Sequence, residues 1–247
     1  MNLLVDIGNT RTKWAVMEAA GRIVEQGVDE LDRALLDRVF ARHDIARAMV
    51  TSTRGGAARE LELLGERLSE VLLFSAETPV PIGIDYRTPE TLGRDRVAAA
   101  VGAWTRYPGR ACMIADFGTA LTIDYLSAEG VFCGGAISLG VSNRLRALHE
   151  YTATLPLCEM SEEEQLVGRS TREAIEQGVM NSVQFELEGY IERLSKKNAD
   201  LCVIFTGGEA KYFEKRIKNT IFAEPNLVFC GLNRILEYNA TAKKQMV

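Results

Sequence analysis

The chain has 247 residues, of which 47% are hydrophobic and 26% are charged, a composition typical of a globular protein with one or two domains. Its formal net charge of −5 argues against nucleic acid or an anionic membrane as the main partner. No apolar run approaches the length of a membrane-spanning helix, and the first strand begins at residue 2 with no signal peptide before it. We therefore expect a cytoplasmic protein with no membrane partner.

The cysteines and histidines exclude several kinds of site. Five cysteines are scattered along the chain without a C-x-x-C pair, which favours reduced thiols over disulfides or a zinc site. Only two histidines are present, so a histidine-based metal site or catalytic triad is not expected.

The first half of the chain predicts three strands followed by alternating helices and strands. The predicted strands span residues 2–7, 12–17, 22–27, 46–51 and 70–74. The predicted helices span residues 29–42, 57–68 and 94–105. A loop rich in proline and glycine precedes the last of these helices.

The second half repeats that order. Its predicted strands span residues 111–115, 121–126, 131–137 and 201–205, and its predicted helices span residues 140–151, 170–196, 209–218 and 233–239. Pro108-Gly109 is the best linker signal, so we expect two related α/β domains, residues 1–108 and 109–247. The helix over 170–196 carries an apolar stripe that predicts a part in a subunit interface.

The first predicted hairpin carries candidate phosphate ligands. Asp6 lies at the end of an apolar strand, and Gly8 follows where a side chain would keep a ligand away from the backbone. Asn9, Thr10 and Lys13 then offer hydrogen-bond donors and a positive charge. Asp6 suits a cation, or a water bound to a cation, beside the phosphates.

A second hairpin has the same pattern, with Asp116, Gly118 and Thr119 after another apolar strand. Either hairpin alone favours an ordinary turn. The two together, at matching positions in each half, favour a nucleotide-binding function. A third glycine-containing turn, Gly207-Gly208, would let a flat group lie against the backbone, although a simple helix-start turn explains its spacing nearly as well.

A predicted helix start carries a candidate acceptor site. Gly93-Arg94-Asp95-Arg96 brings a carboxylate and a guanidinium to one point. Arg96 can bind a carboxylate in bidentate fashion, and Asp95 can accept a proton from a hydroxyl. From these residues alone, a helix cap with its ion pair remains the alternative.

These motifs together resemble a known family. The paired hairpins resemble the phosphate motifs of the acetate and sugar kinase, heat-shock ATPase and actin superfamily. The pattern Tyr-x-x-Pro-x-x-x-Gly-x-Asp-Arg, from Tyr86 to Arg96, is similar to the pantothenate-binding segment of type III pantothenate kinases. Residues 134–140, 169–178 and 225–239 extend the resemblance, with Leu139 where the family usually has proline.

The resemblance implies a fold and an activity. The fold would be α/β, with two ribonuclease H-like domains of the actin-like ATPase type and a nucleotide cleft between them. The activity would be ATP-dependent phosphorylation of pantothenate to 4′-phosphopantothenate, the first step of coenzyme A biosynthesis.

The resemblance also implies roles for individual residues. Asp95 would be the catalytic base. Pantothenate would be held by Tyr86, Gly93, Arg94, Asp95, Arg96 and Thr171. In a homodimer, Thr171 of one subunit would contact the pantothenate bound to the partner subunit. ATP would be held by Asp6, Gly8, Asn9, Thr10, Lys13, Gly118, Thr119, Gly207 and Gly208. Mg²⁺ would bind with ATP, through water to Asp6, and a monovalent cation (K⁺ or NH₄⁺) would bind Asp116.

Three alternatives stay open at this stage. Another kinase or phosphatase of the superfamily would keep both hairpins but act on a different acceptor. A regulatory protein could use the same scaffold without catalysis, although the acidic composition and intact Asp95 speak against direct DNA binding. A filament-forming actin-like protein would need a longer chain.

Overall fold

The computed structural model describes residues 1–245, which divide into two compact units. The first contains Met1–Pro108, Gly130–Phe132 and the C-terminal segment from Asn226. The second contains Gly109–Glu129 and Cys133–Pro225. The C-terminal segment therefore clusters with the first unit, although the sequence analysis assigned it to a domain of residues 109–247.

The first unit is built on a five-stranded sheet with helices α1–α3 and α6. Its elements are β1 (Asn2–Ile7), β2 (Thr12–Met17), β3 (Ile23–Gly27), α1 (Arg33–Arg42), β4 (Arg47–Ser52), α2 (Ala58–Gly65), β5 (Val71–Leu73), β6 (Gly83–Ile84), a short 3₁₀ turn (Pro89–Thr91), α3 (Arg94–Arg106) and α6 (Leu227–Gln245). The sheet order is β3-β2-β1-β4-β5. β1 pairs antiparallel with β2 and parallel with β4, so the end of β1 lies beside the end of β4.

A buried apolar cluster holds this sheet to its helices. Leu3, Val5 and Val16 of the sheet pack with Leu36 and Val39 of α1, all of them almost fully buried. The apolar residues of α1 recur at helical spacing, as the sequence predicts, and this side faces the sheet.

Two glycines allow close packing of α3 and α6. A Cβ at Gly231 would lie 1.8 Å from the carbonyl oxygen of Ala98, and one at Gly102 would lie 2.3 Å from that of Leu227. The two helix backbones are therefore in direct contact. α6 is also longer than the helix predicted over residues 233–239.

The second unit repeats the arrangement. Its elements are β7 (Cys112–Phe117), β8 (Ala120–Leu126), β9 (Val131–Leu139), α4 (Val141–Glu150), α5 (Thr171–Ser195), β10 (Cys202–Gly207), a 3₁₀ turn (Ala210–Tyr212) and β11 (Ile221–Ala223). Its strands follow the order β11-β10-β7-β8-β9. The first two residues of β9, Val131 and Phe132, belong to the first unit, where they pair with β6.

The sequence analysis missed two strands and predicted one helix wrongly. β6 and β11 were not predicted, because strands of two and three residues carry no readable alternation and form through pairing with β9 and β10. The helix predicted over residues 209–218 is a 3₁₀ turn followed by further turns. Its apolar spacing comes from Phe213 and Ile217, which are buried in the core of the second unit.

The apolar stripe of α5 packs inside the second unit. Ile175, Val179, Val183, Leu187 and Ile191 are all buried in its core. The part of α5 in a subunit interface stays a prediction, and it would fall to the exposed side of the helix. A capping box is present in part at the start of α5: the N–H of Glu173 donates to Ser170 Oγ at 3.2 Å, while Glu173 Oε2 accepts from the N–H of Arg169 at 2.7 Å.

Within residues 1–245, each helix is either too short or too polar to cross a bilayer.

Candidate active site

The first phosphate hairpin forms as predicted. β1 and β2 are joined by residues 8–11, and the N–H of Gly8 donates to the carbonyl of Arg11 at 3.0 Å. Asp6 pairs with Lys13 in the register of the two strands. The side chains of Asn9, Thr10 and Lys13 are exposed, so the turn presents polar groups and a positive charge to solvent.

The second hairpin matches the first in burial. β1 and β7 have the same pattern, in which the only partly exposed residue is the aspartate, Asp6 in one and Asp116 in the other. Gly118 and Thr119 are exposed at the turn between β7 and β8. Two carboxylates thus occupy equivalent strand ends in the two units, as expected for an internal repeat.

The two turns differ in length by one residue. Asp6 pairs with Lys13 across the first hairpin, whereas Asp116 pairs with Thr122 across the second. A cation therefore lies opposite the aspartate in the first unit and a hydroxyl in the second. The first hairpin therefore has a positive charge that would attract phosphate, and the second hairpin has less positive charge.

A buried threonine lies beside each aspartate on the neighbouring parallel strand. Thr51 of β4 is in register with Asp6, and Thr206 of β10 is in register with Asp116. Both threonines are almost fully buried. Thr51 Oγ1 makes no hydrogen bond within the described residues 1–245.

The glycine turn after β10 lies directly against Asp116. Gly207 has φ of +91°, and a Cβ there would lie 2.5 Å from Asp116 Oδ1 and 2.5 Å from the carbonyl oxygen of Phe117. Only glycine fits this backbone and this space. Its neighbour Gly208 is exposed and has open space at its Cβ position. The turn thus brings Gly207, a predicted ATP residue, against Asp116, the predicted cation ligand.

The helix start at α3 presents Asp95 in a constrained position. Asp95 Oδ1 accepts a hydrogen bond from the N–H of Arg96 at 2.9 Å. A Cβ at Gly93 would lie 2.6 Å from the same oxygen. Asp95 is partly exposed, and Oδ2 makes no hydrogen bond within residues 1–245. One carboxylate oxygen therefore orients the side chain and the other is available.

Arg96 is buried between two aromatic rings. Its guanidinium carbon lies 5.6 Å from the ring centroid of Phe132 and 6.0 Å from that of Tyr86. The two rings meet edge to face with centroids 6.1 Å apart. Aromatic faces stabilise a cation in a site with little water. Tyr86, Asp95 and Arg96 are thus gathered in the first unit, as the sequence predicts.

Arg94 contacts the loop that precedes α3. Its side chain donates to the carbonyl oxygens of Leu92 and Pro89, at 2.8 and 2.6 Å, and its guanidinium lies over the Phe74 ring. Burial lowers the pKa of this guanidinium. Arg94 thus holds the loop that leads into Asp95.

Thr171 belongs to the second unit, whereas Asp95 and Arg96 belong to the first. It is exposed at the first position of α5 and lines an apolar groove of about 380 Å³ between α4 and α5. Leu148 and Leu155 form the other side of this groove.

Several candidate residues were missed from sequence. Arg54 donates from Nε to the carbonyl oxygen of Gly8 at 2.7 Å, and Asn143 donates from Nδ2 to that of Thr119 at 2.8 Å. Each therefore supports a phosphate hairpin from a distant segment. For Arg54, the small polar run Ser52-Thr53-Arg54-Gly55-Gly56 at a strand end was an available signal. For Phe132 and Asn143, no local signal existed.

A protein-built metal cage was not found. Within residues 1–245, no group of three or more His, Cys, Asp or Glu side chains is placed to hold a metal ion. A single carboxylate at a strand end, as at Asp6 or Asp116, is instead the donor set expected where a cation also binds substrate phosphates.

Comparison with known proteins identifies the family. A family model described as type III pantothenate kinase matches residues 2–193. A type III pantothenate kinase of Azobacteroides pseudotrichonymphae is 40% identical over 238 residues, covering 96% of this chain and 97% of its own length. The chain belongs to the type III pantothenate kinase family.

Other comparisons agree with this family and with the fold of the chain. A type III pantothenate kinase of Cytophaga hutchinsonii is 40% identical over 239 residues, covering 97% of this chain and 100% of its own. Among solved structures, a protein assigned as a 2-dehydro-3-deoxygalactonokinase from Sinorhizobium meliloti aligns with a TM-score of 0.63 at 12% identity, covering 97% of this chain and 99% of its own. This likeness confirms the predicted two-domain α/β fold class.

Proposed function

We propose that this family member transfers the γ-phosphoryl group of ATP to pantothenate, giving 4′-phosphopantothenate, the first step of coenzyme A biosynthesis. The relatives named type III pantothenate kinase match almost the full chain. The observation that carries the proposal is the cluster at the start of α3, where Asp95 Oδ1 accepts a hydrogen bond from the backbone N–H of Arg96 and the Arg96 side chain is buried against Phe132 and Tyr86.

Asp95 is the proposed catalytic residue. Oδ2 would accept, or simply orient, the proton of the substrate hydroxyl, while the N–H of Arg96 holds Oδ1. Phosphoryl transfer through a loose transition state demands little of a base, so correct positioning of the hydroxyl is the larger contribution.

Pantothenate would be bound around this carboxylate. Arg96 supplies a charge-assisted hydrogen bond, Tyr86 supplies one wall, and the absence of a side chain at Gly93 leaves Asp95 its position. Thr171 would complete the pocket from a partner subunit. Arg94 contributes by holding the preceding loop through Pro89 and Leu92.

Both hairpins would contribute to ATP binding. In the first unit, Asn9, Thr10 and Lys13 would contribute polar side chains and an ammonium group beside the tight turn at Gly8. In the second unit, Gly118 and Thr119 would contribute a turn and a hydroxyl, and the two-glycine turn of Gly207 and Gly208 suits the nucleoside.

Kinases of this family use ATP together with a divalent metal ion, which neutralises phosphate charge when it is bound. Asp6 fits Mg²⁺ held through water, because it is a half-buried carboxylate at a strand end beside the proposed phosphate ligands.

A monovalent cation, K⁺ or NH₄⁺, would bind at Asp116. Asp116 Oδ1 and the carbonyl oxygen of Phe117 both lie close to Gly207. Carboxylate and carbonyl oxygens are the ligands that such a cation takes.

The proposed active form is a homodimer in a cytoplasmic setting. Apolar side chains remain exposed on the second unit, including Leu166 at 77%, Val167 at 71% and Phe185 at 53%. These residues, rather than the buried stripe of α5, are the proposed contact surface. The cysteines are thiols rather than disulfides, which agrees with a reducing compartment.

The first experiment measures ATP-dependent phosphorylation of pantothenate with Mg²⁺ and either K⁺ or Na⁺. We expect turnover with K⁺, a much lower rate with Na⁺, and a loss of about 100-fold or more in Asp95→Asn. Folded wild-type protein that forms no phosphopantothenate with either ion would overturn the assignment, and sugar and acetate would then be tested as acceptors.

The shared pocket has a separate test. Asp95→Asn and Thr171→Val are each expected to be weakly active alone. Mixing them under conditions of subunit exchange should restore about a quarter of wild-type activity, because half of the dimers are mixed and each has one intact pocket. If mixing restores nothing while light scattering shows a dimer, Thr171 does not act across the interface.

A further inference from the structure

Arg54 is an exposed arginine attached to the first phosphate hairpin. Its Nε donates to the carbonyl oxygen of Gly8 at 2.7 Å across 46 residues of sequence. This bond uses one edge of the guanidinium. The terminal nitrogens Nη1 and Nη2 make no hydrogen bond or ion pair within the described residues 1–245. Most of the arginine's hydrogen-bonding capacity is therefore available beside the turn.

The segment that carries Arg54 is itself held in place. Both the N–H and the hydroxyl of Thr53 donate to the carbonyl oxygen of Ile7, at 3.0 and 3.3 Å. Ser52 Oγ accepts from the N–H of Arg54 at 3.2 Å and donates to the carbonyl of Gly56 at 3.0 Å. The loop after β4 is thus bonded to the residues that follow Asp6. Arg54 is a fixed part of the hairpin rather than a freely moving surface side chain.

The electrostatics of this site favour an anion. Residues 6–13 and 51–56 contain three cations, Arg11, Lys13 and Arg54, and one carboxylate, Asp6. The chain as a whole is acidic, with a formal charge of −5. A local excess of positive charge on such a protein points to a bound anion.

Arg54 also differs from three exposed arginines of the first unit that are paired with carboxylates. Arg22, Arg33 and Arg59 each form an ion pair with a glutamate, at Glu18, Glu66 and Glu30 respectively. Their guanidinium groups are therefore neutralised by the protein. Arg54 is bonded to a backbone carbonyl, which fixes its position without neutralising its charge.

We propose that Arg54 is a further ATP-binding residue, which holds the terminal phosphates of the nucleotide through Nη1 and Nη2 while Nε anchors it to Gly8. The planar guanidinium matches two phosphate oxygens at once, a geometry that lysine cannot reproduce. Charge on the γ-phosphoryl oxygens increases the value of such a contact during transfer. This inference rests on the proposed function of the hairpin.

The test compares the affinities for ATP, ADP and AMP of wild-type protein and four variants by titration calorimetry with Mg²⁺. Arg54→Gln removes the charge, and Arg54→Lys keeps the charge without the planar fork. Arg59→Gln is the matched control, because Arg59 is an exposed arginine nearby that pairs with Glu30. Lys13→Met tests the hairpin itself.

We expect Arg54→Gln to weaken ATP binding about 10- to 100-fold, the value of one or two charge-assisted hydrogen bonds. The loss should be smaller for ADP and smallest for AMP, because the contact is to the terminal phosphates. Arg54→Lys should fall between wild type and Arg54→Gln, and Arg59→Gln should bind like wild type. Thermal denaturation should show little change in any Arg54 variant, since the side chain is exposed.

The outcomes separate this inference from the proposed site. If Lys13→Met weakens ATP binding while Arg54→Gln binds ATP like wild type, the role of Arg54 is overturned and the hairpin site stands. Equal losses for all three nucleotides in Arg54→Gln would also overturn it, since Arg54 would then only brace Gly8. If Lys13→Met binds ATP like wild type, the hairpin is not the phosphate site and both proposals fail.

Discussion

Gly93 and Asp95 are coupled by space: a Cβ on Gly93 would lie 2.6 Å from Oδ1 of Asp95. The backbone of Gly93 has φ of −53° and ψ of 127°, which any residue can adopt. Glycine is therefore required there by the carboxylate and not by the backbone. The proposed catalytic group has its position because its neighbour has no side chain.

Gly93→Ala should therefore lower kcat with little effect on stability. The new methyl would push the Asp95 carboxylate away from the N–H of Arg96, and a displacement of about 1 Å can cost up to about 100-fold in rate. We expect kcat to fall about 10- to 100-fold and KM for ATP to stay the same. The control is Gly65→Ala, because Gly65 has open space at its Cβ position. Steady-state kinetics of both variants test this prediction, and full activity in Gly93→Ala would contradict it.

Gly207→Ala should damage both stability and the proposed cation site. Gly207 has φ of +91°, and its Cβ would meet backbone atoms of Phe117 at 2.5 and 2.6 Å. We expect the free energy of unfolding to fall by about 2 kcal/mol or more, and activation by K⁺ to be lost. Denaturant titration and a K⁺ titration of activity measure the two effects.

The adjacent Gly208 provides the control for stability. It has open space around its Cβ position. Gly208→Ala should change the free energy of unfolding by less than about 0.5 kcal/mol. Equal destabilisation by the two substitutions would contradict the argument from Asp116 and Phe117.

Thr51→Val should stabilise the protein. Thr51 is fully buried and its hydroxyl has no hydrogen-bond partner within residues 1–245, so replacing that hydroxyl by a methyl removes a desolvation cost. We expect the free energy of unfolding to rise by about 1 kcal/mol in denaturant titration. Thr51→Ser should instead destabilise, because it keeps the hydroxyl and loses buried methyl surface. A loss in Thr51→Val would mean that the hydroxyl is engaged, for example by a buried water.

Asn2→Ala should loosen α6 from the first sheet. Asn2 is buried, and its Nδ2 donates to Asn233 Oδ1 at 2.8 Å and to Glu237 Oε1 at 2.7 Å. Removing it leaves Oδ1 of the buried Asn233 without this donor, whereas Glu237 Oε1 keeps its hydrogen bond from Arg47 at 2.6 Å. We therefore expect a loss of about 2 kcal/mol in the free energy of unfolding. Asn239→Ala is the control on the same helix, since its bond to the Pro79 carbonyl is exposed, and it should cost less than about 1 kcal/mol. Similar losses in both variants would argue against a special role for Asn2.

Much of the fold and of the site could be predicted from sequence because the relevant contacts are local. The strands and turns around Asp6 and Asp116 form as predicted, since alternation and glycine placement act over a few residues. The same holds for the start of α3, where Asp95 bonds to the next residue.

The contacts that only the tertiary structure decided join residues distant in sequence. Arg54 reaches Gly8 because β4 lies parallel to β1, and Phe132 reaches Arg96 because the start of β9 pairs with β6. Parallel pairing requires a long connection, so no local pattern names the partner. The stripe of α5 shows the same limit: its spacing predicted an apolar face, and only the packed sheet decided that the face belongs to the core. The sequence by itself determined which residues form elements and turns, and the packing of those elements determined which side chains meet.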